Sequence, residues 1–323
     1  MDTYASAMHR YVSFITQECN RPLAEALPTG AQGLIPTELV TLFISHAATR
    51  YKLSTIKVTL AALVDWHKSK KASHASVSQS NPAIQQLLQS VATYQGPSGM
   101  PVGKTGMTKG MLFQLLKHIR SQEKAQLQMK ELYVRDWAIF ALGFYGLFRR
   151  SELIALTMAD ITLVTNPTPY IAITVRKSKT DKVGAGAVIY VSAVTRDGLR
   201  IADGIRNLLE LRRASGAGPT DPLFPAWDLD ARRLYKSTPL SNGQALAQRL
   251  QKYLKSLLST HPDLAINPSS YGMHSLRRGV VVAAWKAGVD LERIKAHGRW
   301  KSDAVRAYMT PDISIKLSVS AAM

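Results

Sequence analysis

The sequence is poor in groups that staple a chain or anchor it in a membrane. One cysteine, Cys19, in 323 residues excludes an intrachain disulfide framework and any cysteine-based zinc site. It reads as a bystander and suits a reducing compartment. Long hydrophobic runs are missing too. The longest, WAIFALGFYGLF at 137–148, contains two glycines and is too short to span a bilayer. The opening MDTYASAMHRYV lacks the basic-then-apolar order of a secretion signal, so a soluble protein with no membrane partner is expected. Internal repeats and low-complexity tracts are absent. Acidic residues are scarce: 22 Asp and Glu stand against 41 Lys and Arg, a net charge of +19.

What is present is a foldable chain with an uneven charge. A 46% hydrophobic content argues for a globular protein, and the length suits two domains. Residues 1–95 carry 8 basic and 5 acidic side chains, whereas 96–323 carry 33 and 17, a net of +16. A cationic surplus on this scale favours a polyanionic partner, most often nucleic acid.

The first 95 residues read as short helices. Apolar residues recur at helical spacing in Met8-Tyr11-Val12-Ile15, Leu39-Leu42-Phe43 and Ile56-Leu60-Leu63-Val64. Pro36 stands where a helix would begin, and Asn81-Pro82 looks like an N-cap with a first-turn proline. His46, His67 and His74 share no metal-ligand spacing. GPSGMPVGKTG follows at 96–106, a composition that marks a linker; its GKTG lacks the leading glycine of a phosphate-binding loop. The expected organisation is therefore a helical domain at 1–95, a linker at 96–107 and a second domain at 108–323 with a tail at 310–323. Within the second domain, helices are expected to about 158, then at about 197–214, 241–259, 275–287, 290–297 and 302–309. YIAITVRK (170–177) and AVIYVSAV (187–194) read as two strands of a hairpin. The fold class is mainly α with a small antiparallel β-hairpin.

Four pieces of the second domain carry polar groups that packing does not require. In GLFRRSEL (146–153), Arg149 and Glu152 form an Arg-x-x-Glu pair, in which a carboxylate can hold a guanidinium rigid with donors left over for a phosphate. In the hairpin tip, KSKTDK, Lys177, Lys179 and Lys182 could reach into a DNA groove. In HSLRRG (274–279), His274 and Arg277 lie three apart at the start of an apolar helix, on one face and beside backbone N–H groups that favour anions. In HGRWKSDAVRAYM (297–309), Trp300 follows a tight break at Gly298, and Tyr308 is the last tyrosine. Each piece has a bland reading: a charged helix end, a solvated turn, an N-cap, an ordinary core tyrosine.

Taken in order, Arg-x-x-Glu, a hairpin lysine, His-x-x-Arg, then Trp and Tyr, the chain resembles the tyrosine recombinase (phage integrase) family over roughly residues 108–310. The wording GRWKSDAV looks most like recombinases of mobile elements. The resemblance implies a two-domain C-shaped DNA clamp, with 1–95 as the core-DNA-binding domain. It makes Arg149 and Arg277 the catalytic arginines, Glu152 a supporting acid and Lys179 the general acid, with Lys182 as the alternative. His274 and Trp300 complete the site, and Tyr308 becomes the nucleophile. Arg150, Lys177, Lys182, Arg278 and Arg299 are further candidates for DNA contact. Two departures stand out: Phe148 precedes Arg149 where the family usually reads Gly-Leu-Arg, which leaves Arg150 a rival, and the Trp300–Tyr308 spacing is one shorter than in many members.

The implied reaction is DNA cutting and rejoining through a 3′-phosphotyrosyl link, with strand exchange through a Holliday junction. The implied partners are double-stranded DNA with inverted-repeat or paired sites, and a homotetramer on DNA formed from free monomers. No metal, cofactor or ATP is expected, and the place of action is the nucleus in a eukaryote or the cytoplasm (nucleoid) in a bacterium or phage. A type IB topoisomerase and a non-catalytic DNA-binding protein on the same fold remain alternatives.

Overall fold

The computed structural model describes residues 3–28, 33–99, 105–176, 184–240, 243–264 and 266–309. It divides into two units, 1–103 and 104–323. The first unit is all helix: α1 (Thr3–Ser13), α2 (Leu23–Ala26), α3 (Thr37–Ala47), α4 (Leu53–Ser69) and α5 (Pro82–Gly99). Its core gathers Tyr11, Ile15, Phe43, Leu60 and Leu63, from the spacing that marks the helices, together with Val40 and Ile84; Leu42, of the same spacing, is exposed. The Asn81 side chain accepts from the Ala83 N–H at 3.1 Å and so caps α5. That helix continues to Gly99 across a non-helical residue at Gly96, four residues into the stretch expected to be linker. His67 is fully buried, with Nδ1 2.9 Å from the Leu63 carbonyl and Nε2 taking the Ile35 N–H at 3.3 Å.

The second unit is built around α7 (Lys130–Tyr145), in which every residue from Leu132 to Phe144 is buried. A helix apolar on all faces must be surrounded, and the long hydrophobic run of the sequence supplies it. α6 (Lys109–Ala125), α9 (Ile201–Ala214) and α11 (Met273–Lys286) pack against it. The remaining helices are α8 (Arg150–Ile154), α10 (Gly243–Thr260) and α12 (Leu291–Gly298). A three-stranded antiparallel sheet, β1 (Ile161–Val164), β2 (Tyr170–Val175) and β3 (Ala187–Ser192), turns Ile171, Ile173, Ile189 and Val191 into the core. The cross-strand pairs Ile171–Val191 and Ile173–Ile189 set its register.

The unit is thus mainly helical with small antiparallel sheets, and it holds more strand than the sequence suggested. β1 is only four residues long, too short for its alternation to stand out. A second ribbon, β4 (Pro225–Asp228) with β5 (Arg233–Pro239), was not anticipated, because β5 is mostly exposed and polar. The last helix expected, 302–309, is a 3₁₀ turn over Asp303–Tyr308.

Two local devices fix the framework. Gly279 lets the entering chain cross α11, since a Cβ there would lie 1.8 Å from the Met107 carbonyl oxygen. Buried Asp136 on α7 accepts from Arg135 Nε and Nη2, from Arg249 Nε on α10, and from the Tyr253 hydroxyl at 2.8 Å. Burial alone would push the Asp136 carboxyl up, but the charges of Arg135 and Arg249 outweigh it and hold it below the usual carboxylate range. Its stabilising contribution is therefore present above the unfolded carboxylate pKa and is lost as pH falls through the lower folded value. Asp136→Ala, which strands a buried guanidinium, should cost about 3–5 kcal/mol in urea unfolding at neutral pH. The gap from wild type should close as the solution is acidified.

Candidate active site

The candidate site begins where α7 ends. Gly146, Leu147 and Phe148 form the turn into α8, and Leu147 takes a left-handed φ of 48°. Such a backbone costs a non-glycine residue on the order of 1–3 kcal/mol and persists only where its surroundings hold it. Here the Leu147 side chain is buried, and its carbonyl turns inward to accept from Arg277 Nη1 and, at 3.4 Å, from Arg299 Nη2. Arg149 stands at the N-cap of α8, and the Glu152 carboxylate closes the first turn. It takes the Arg149 backbone N–H at 2.9 Å and Arg149 Nη1 at 2.8 Å. One side chain thus caps the helix and orients the arginine. The Glu152 side chain is 1% exposed against 21% for Arg149, so the acid lies inside and the guanidinium faces outward.

The second strip of the site comes from the start of α11. The Gly272 N–H donates to the Ser275 hydroxyl at 3.0 Å, so Ser275 does the capping and His274 is left to face the pocket. Arg277, one turn on, is only 1% exposed. It donates to the Leu147 carbonyl and, at 2.6 Å, to the Gly298 carbonyl, and its guanidinium lies 4.0 Å above the Trp300 ring. A cation stacked on indole away from water gains about 2 kcal/mol. Burial pulls the Arg277 pKa down to about 9, with the Arg149 and Arg299 charges acting in the same sense and Glu152 and Tyr308 opposing. It stays charged at neutral pH.

The third strip runs from α12 to Met309. The break expected at Gly298 falls one residue later, at Arg299, with φ 59°. Gly298 is needed for a different reason: a Cβ there would meet the Trp300 ring at 1.7 Å. A small apolar cluster of Leu147, Val281, Ile294 and Val305 supports Trp300 and Tyr308. On that base the Tyr308 hydroxyl lies 2.8 Å from His274 Nε2, with its ring 6.0 Å from Trp300.

Arg149, His274, Arg277, Trp300 and Tyr308 share one open pocket of about 510 Å³. Around it, Arg149, Arg277 and Arg299 face the single carboxylate of Glu152, so the site holds uncompensated positive charge and suits an anion. The first N–H groups of α11 add to this, since Gly272 and Met273 also line the pocket. Burial and the charges of Arg277, Arg278 and Arg149 lower the His274 pKa, which keeps the imidazole neutral and able to accept the Tyr308 proton.

The other expected site residues are placed unevenly. Arg150 is exposed on the pocket rim. Arg278 is half-buried against Gly106. Arg299, expected to touch DNA, has a largely buried side chain that pairs with Glu152 at 2.6 Å. Lys177, Lys179 and Lys182 lie outside the described residues, as does the tail 310–323. Among the described residues no cluster of His, Cys, Asp or Glu could hold a metal ion, and no helix is long and apolar enough to cross a membrane.

No family model matches the chain. A curated relative, an integrase/recombinase xerD homolog of Selenomonas ruminantium, is 27% identical over 172 residues, 53% of this chain and 45% of the relative's length. The chain thus spans about half the length of the curated relative it matches. Among solved structures, XerH site-specific recombinase bound to a palindromic difH substrate superimposes with a TM-score of 0.62 at 16% identity, over 99% of this chain and 78% of that one. A Tn1549 transposon integrase in complex with a circular intermediate DNA gives 0.56 at 14% identity, over 98% of each chain. The chain has the tyrosine recombinase fold. In this recombinase fold the pocket joins all three strips of polar residues, which lie far apart in the sequence.

Sequence reasoning missed two groups of the site, the Leu147 carbonyl and the Arg299–Glu152 pair. A backbone carbonyl carries no sequence signal. The sole hint of the pair was an arginine beside glycine at a break between helices. The lowered His274 pKa has a measurable consequence. A base whose folded pKa is depressed binds fewer protons than the unfolded chain below the usual imidazole value, so folding is weakened as pH falls through that range. In an NMR titration His274 should titrate below an unfolded histidine, and Arg149→Gln should move it back up.

Proposed function

We propose that the chain is a site-specific DNA recombinase that cuts and rejoins double-stranded DNA through a 3′-phosphotyrosyl intermediate. The observation that carries this reading is the Tyr308 hydroxyl 2.8 Å from His274 Nε2, on a pocket that Arg149 and Arg277 also line. A tyrosine poised against a neutral base, beside excess guanidinium charge, suits attack on a phosphodiester.

In the proposed step Tyr308 Oη attacks the scissile phosphorus while its proton passes to His274 Nε2. The new P–O bond to tyrosine forms as the bond to the 5′-oxygen breaks. Arg149 and Arg277 donate to the non-bridging oxygens, where charge accumulates in the transition state. Glu152 keeps Arg149 aimed, and Trp300 buttresses both Arg277 and Tyr308. The departing 5′-oxygen takes its proton from Lys179, or from Lys182, on the hairpin between β2 and β3. Bond energy is conserved in the phosphotyrosine, so rejoining to a new 5′-hydroxyl needs no ATP. The guanidinium groups supply the charge a metal would otherwise provide.

Strand exchange through a Holliday junction would then proceed in a homotetramer assembled from monomers on paired or inverted-repeat sites. Residues 1–95 would serve as the core-DNA-binding domain, 96–107 as the linker and 108–323 as the catalytic domain. The +16 carried by 96–323 suits such a partner, because each phosphate neutralised releases counterions.

Incubated with a nicked suicide duplex bearing its site, in EDTA, wild-type protein should give an SDS-resistant adduct, and Tyr308→Phe should give none. His274→Ala should slow adduct formation by roughly 10²–10⁴-fold. An adduct that survives in Tyr308→Phe would move the nucleophile elsewhere. Relaxation of supercoiled plasmid without exchange between sites would point to a topoisomerase, and no adduct on tightly bound DNA to a binding protein.

A further inference from the structure

Arg299 is a largely buried cation beside the pocket for which the proposed reaction has no use. It adopts a left-handed backbone with φ 59°, unusual for a long side chain. Its side chain is 12% exposed and its Nη2 reaches Glu152 Oε2 at 2.6 Å. The same nitrogen lies 3.4 Å from the Leu147 carbonyl, Nη1 lies 3.3 Å from the His297 carbonyl, and the guanidinium sits 5.4 Å from the Phe148 ring centre. Arg299 Nε is buried without a hydrogen-bond partner among the described residues. A guanidinium kept inside with one donor unsatisfied, on a backbone that favours glycine, is costly to retain by packing alone.

The geometry points to Arg299 as a positioning residue that locks Glu152, and through it Arg149, against the phosphate-facing wall of the pocket. Glu152 divides its carboxylate between two arginines: Oε1 takes Arg149 Nη1, while Oε2 takes the Arg149 N–H and Arg299 Nη2. Without Arg299 the carboxylate keeps only local contacts within its own helix turn and can rotate, carrying Arg149 with it. Arg299 also ties this turn to the segment that carries Trp300 and Tyr308, because it belongs to that segment and donates to Glu152 and to the Leu147 carbonyl. Chemically it acts at one remove, through Glu152, and touches no substrate. Burial raises the Glu152 carboxyl, but the Arg299 charge, then the bonds from Arg149, bring it below the usual range. Arg277 is the other charged group that interacts with it.

The role rests on the strand-transfer reading above, and the test separates the two. Arg299→Gly suits the left-handed backbone and so should fold, and Arg299→Lys keeps one donor. On a suicide duplex at single turnover, Arg299→Gly should form the Tyr308 adduct roughly 10- to 100-fold more slowly with unchanged DNA affinity, and Arg299→Lys should recover part of the loss. The acid limb of the rate–pH profile should move to higher pH, because Glu152 then takes a proton more readily. In a Glu152→Gln background, removal of Arg299 should have little further effect. Independently of cutting, a carbon-detected NMR titration should show the Glu152 carboxyl pKa rising in Arg299→Gly.

An unmoved Glu152 titration would overturn the role, as would a cutting rate equal to wild type. A loss of rate matched by an equal loss of DNA affinity would make Arg299 a DNA contact instead. If wild-type protein bound its DNA and never formed the adduct, the strand-transfer reading itself would fail and take this role with it.

Discussion

The second unit depends on a single buried cation. Arg277 has almost no contact with water, and its guanidinium is held by two backbone carbonyls, Leu147 and Gly298, and by the face of Trp300. Those three partners belong to the turn after α7, to the last residue of α12 and to the segment that follows it. One side chain on α11 therefore fastens three chain segments at one point. Removing a charge from water costs several kcal/mol, so an arginine is retained in such a place where backbone carbonyls and an aromatic face partner it, and its remaining donors are left to the pocket it lines. That requirement explains the left-handed Leu147, whose carbonyl would point elsewhere in a relaxed turn, and the glycine at 298, where any Cβ would displace Trp300.

Electrostatics then defines what the pocket can accept. Three guanidinium groups and one carboxylate leave positive charge uncompensated; burial does most to lower the Arg277 pKa, and repulsion from Arg149 and Arg299 acts in the same sense. An anion between Arg149 and Arg277 would relieve it. The proposed substrate fits this in kind: a phosphodiester carries one negative charge and gains more in the transition state, where the same donors act most strongly. Burial first, and then the charges of Arg277, Arg278 and Arg149, lower the His274 pKa and favour its neutral form, which matches a group that receives a proton from tyrosine. In the proposed reaction the charge excess would serve both the anion and the base.

Around this centre the fold works as a rigid frame. α7 is buried on all sides, and the Asp136 network ties it to α10 through Arg249 and Tyr253. Arg212 does the same for α9, donating to the carbonyls of Pro222, Tyr235 and Lys236. Polar groups this deeply buried contribute little net stability but fix which elements meet. Tyr308, by contrast, sits on a short 3₁₀ turn held by a small apolar cluster and by the Lys295–Asp303 ion pair at 3.0 Å. The nucleophile candidate thus lies on a short segment beside a firmly built floor.

Much of this was legible from residue order. Helices in the first unit follow from apolar periodicity, the central helix from an uninterrupted hydrophobic run, and the hairpin of β2 and β3 from β-branched alternation, because these patterns arise from burying one face or all faces. The polar strips around Arg149, His274 and Tyr308 also stand out, since nothing in packing calls for them. Other features came only with the tertiary structure. The strands β1, β4 and β5 are short or exposed, so they lack a burial pattern and exist by pairing. That Arg299 turns inward to Glu152 while Arg149 faces the pocket depends on a backbone angle and on a carbonyl 152 positions away. Residue types declare which chemistry is available. Which charge faces the substrate and which faces the core is decided by distances between segments far apart in the chain, and only folding creates those distances.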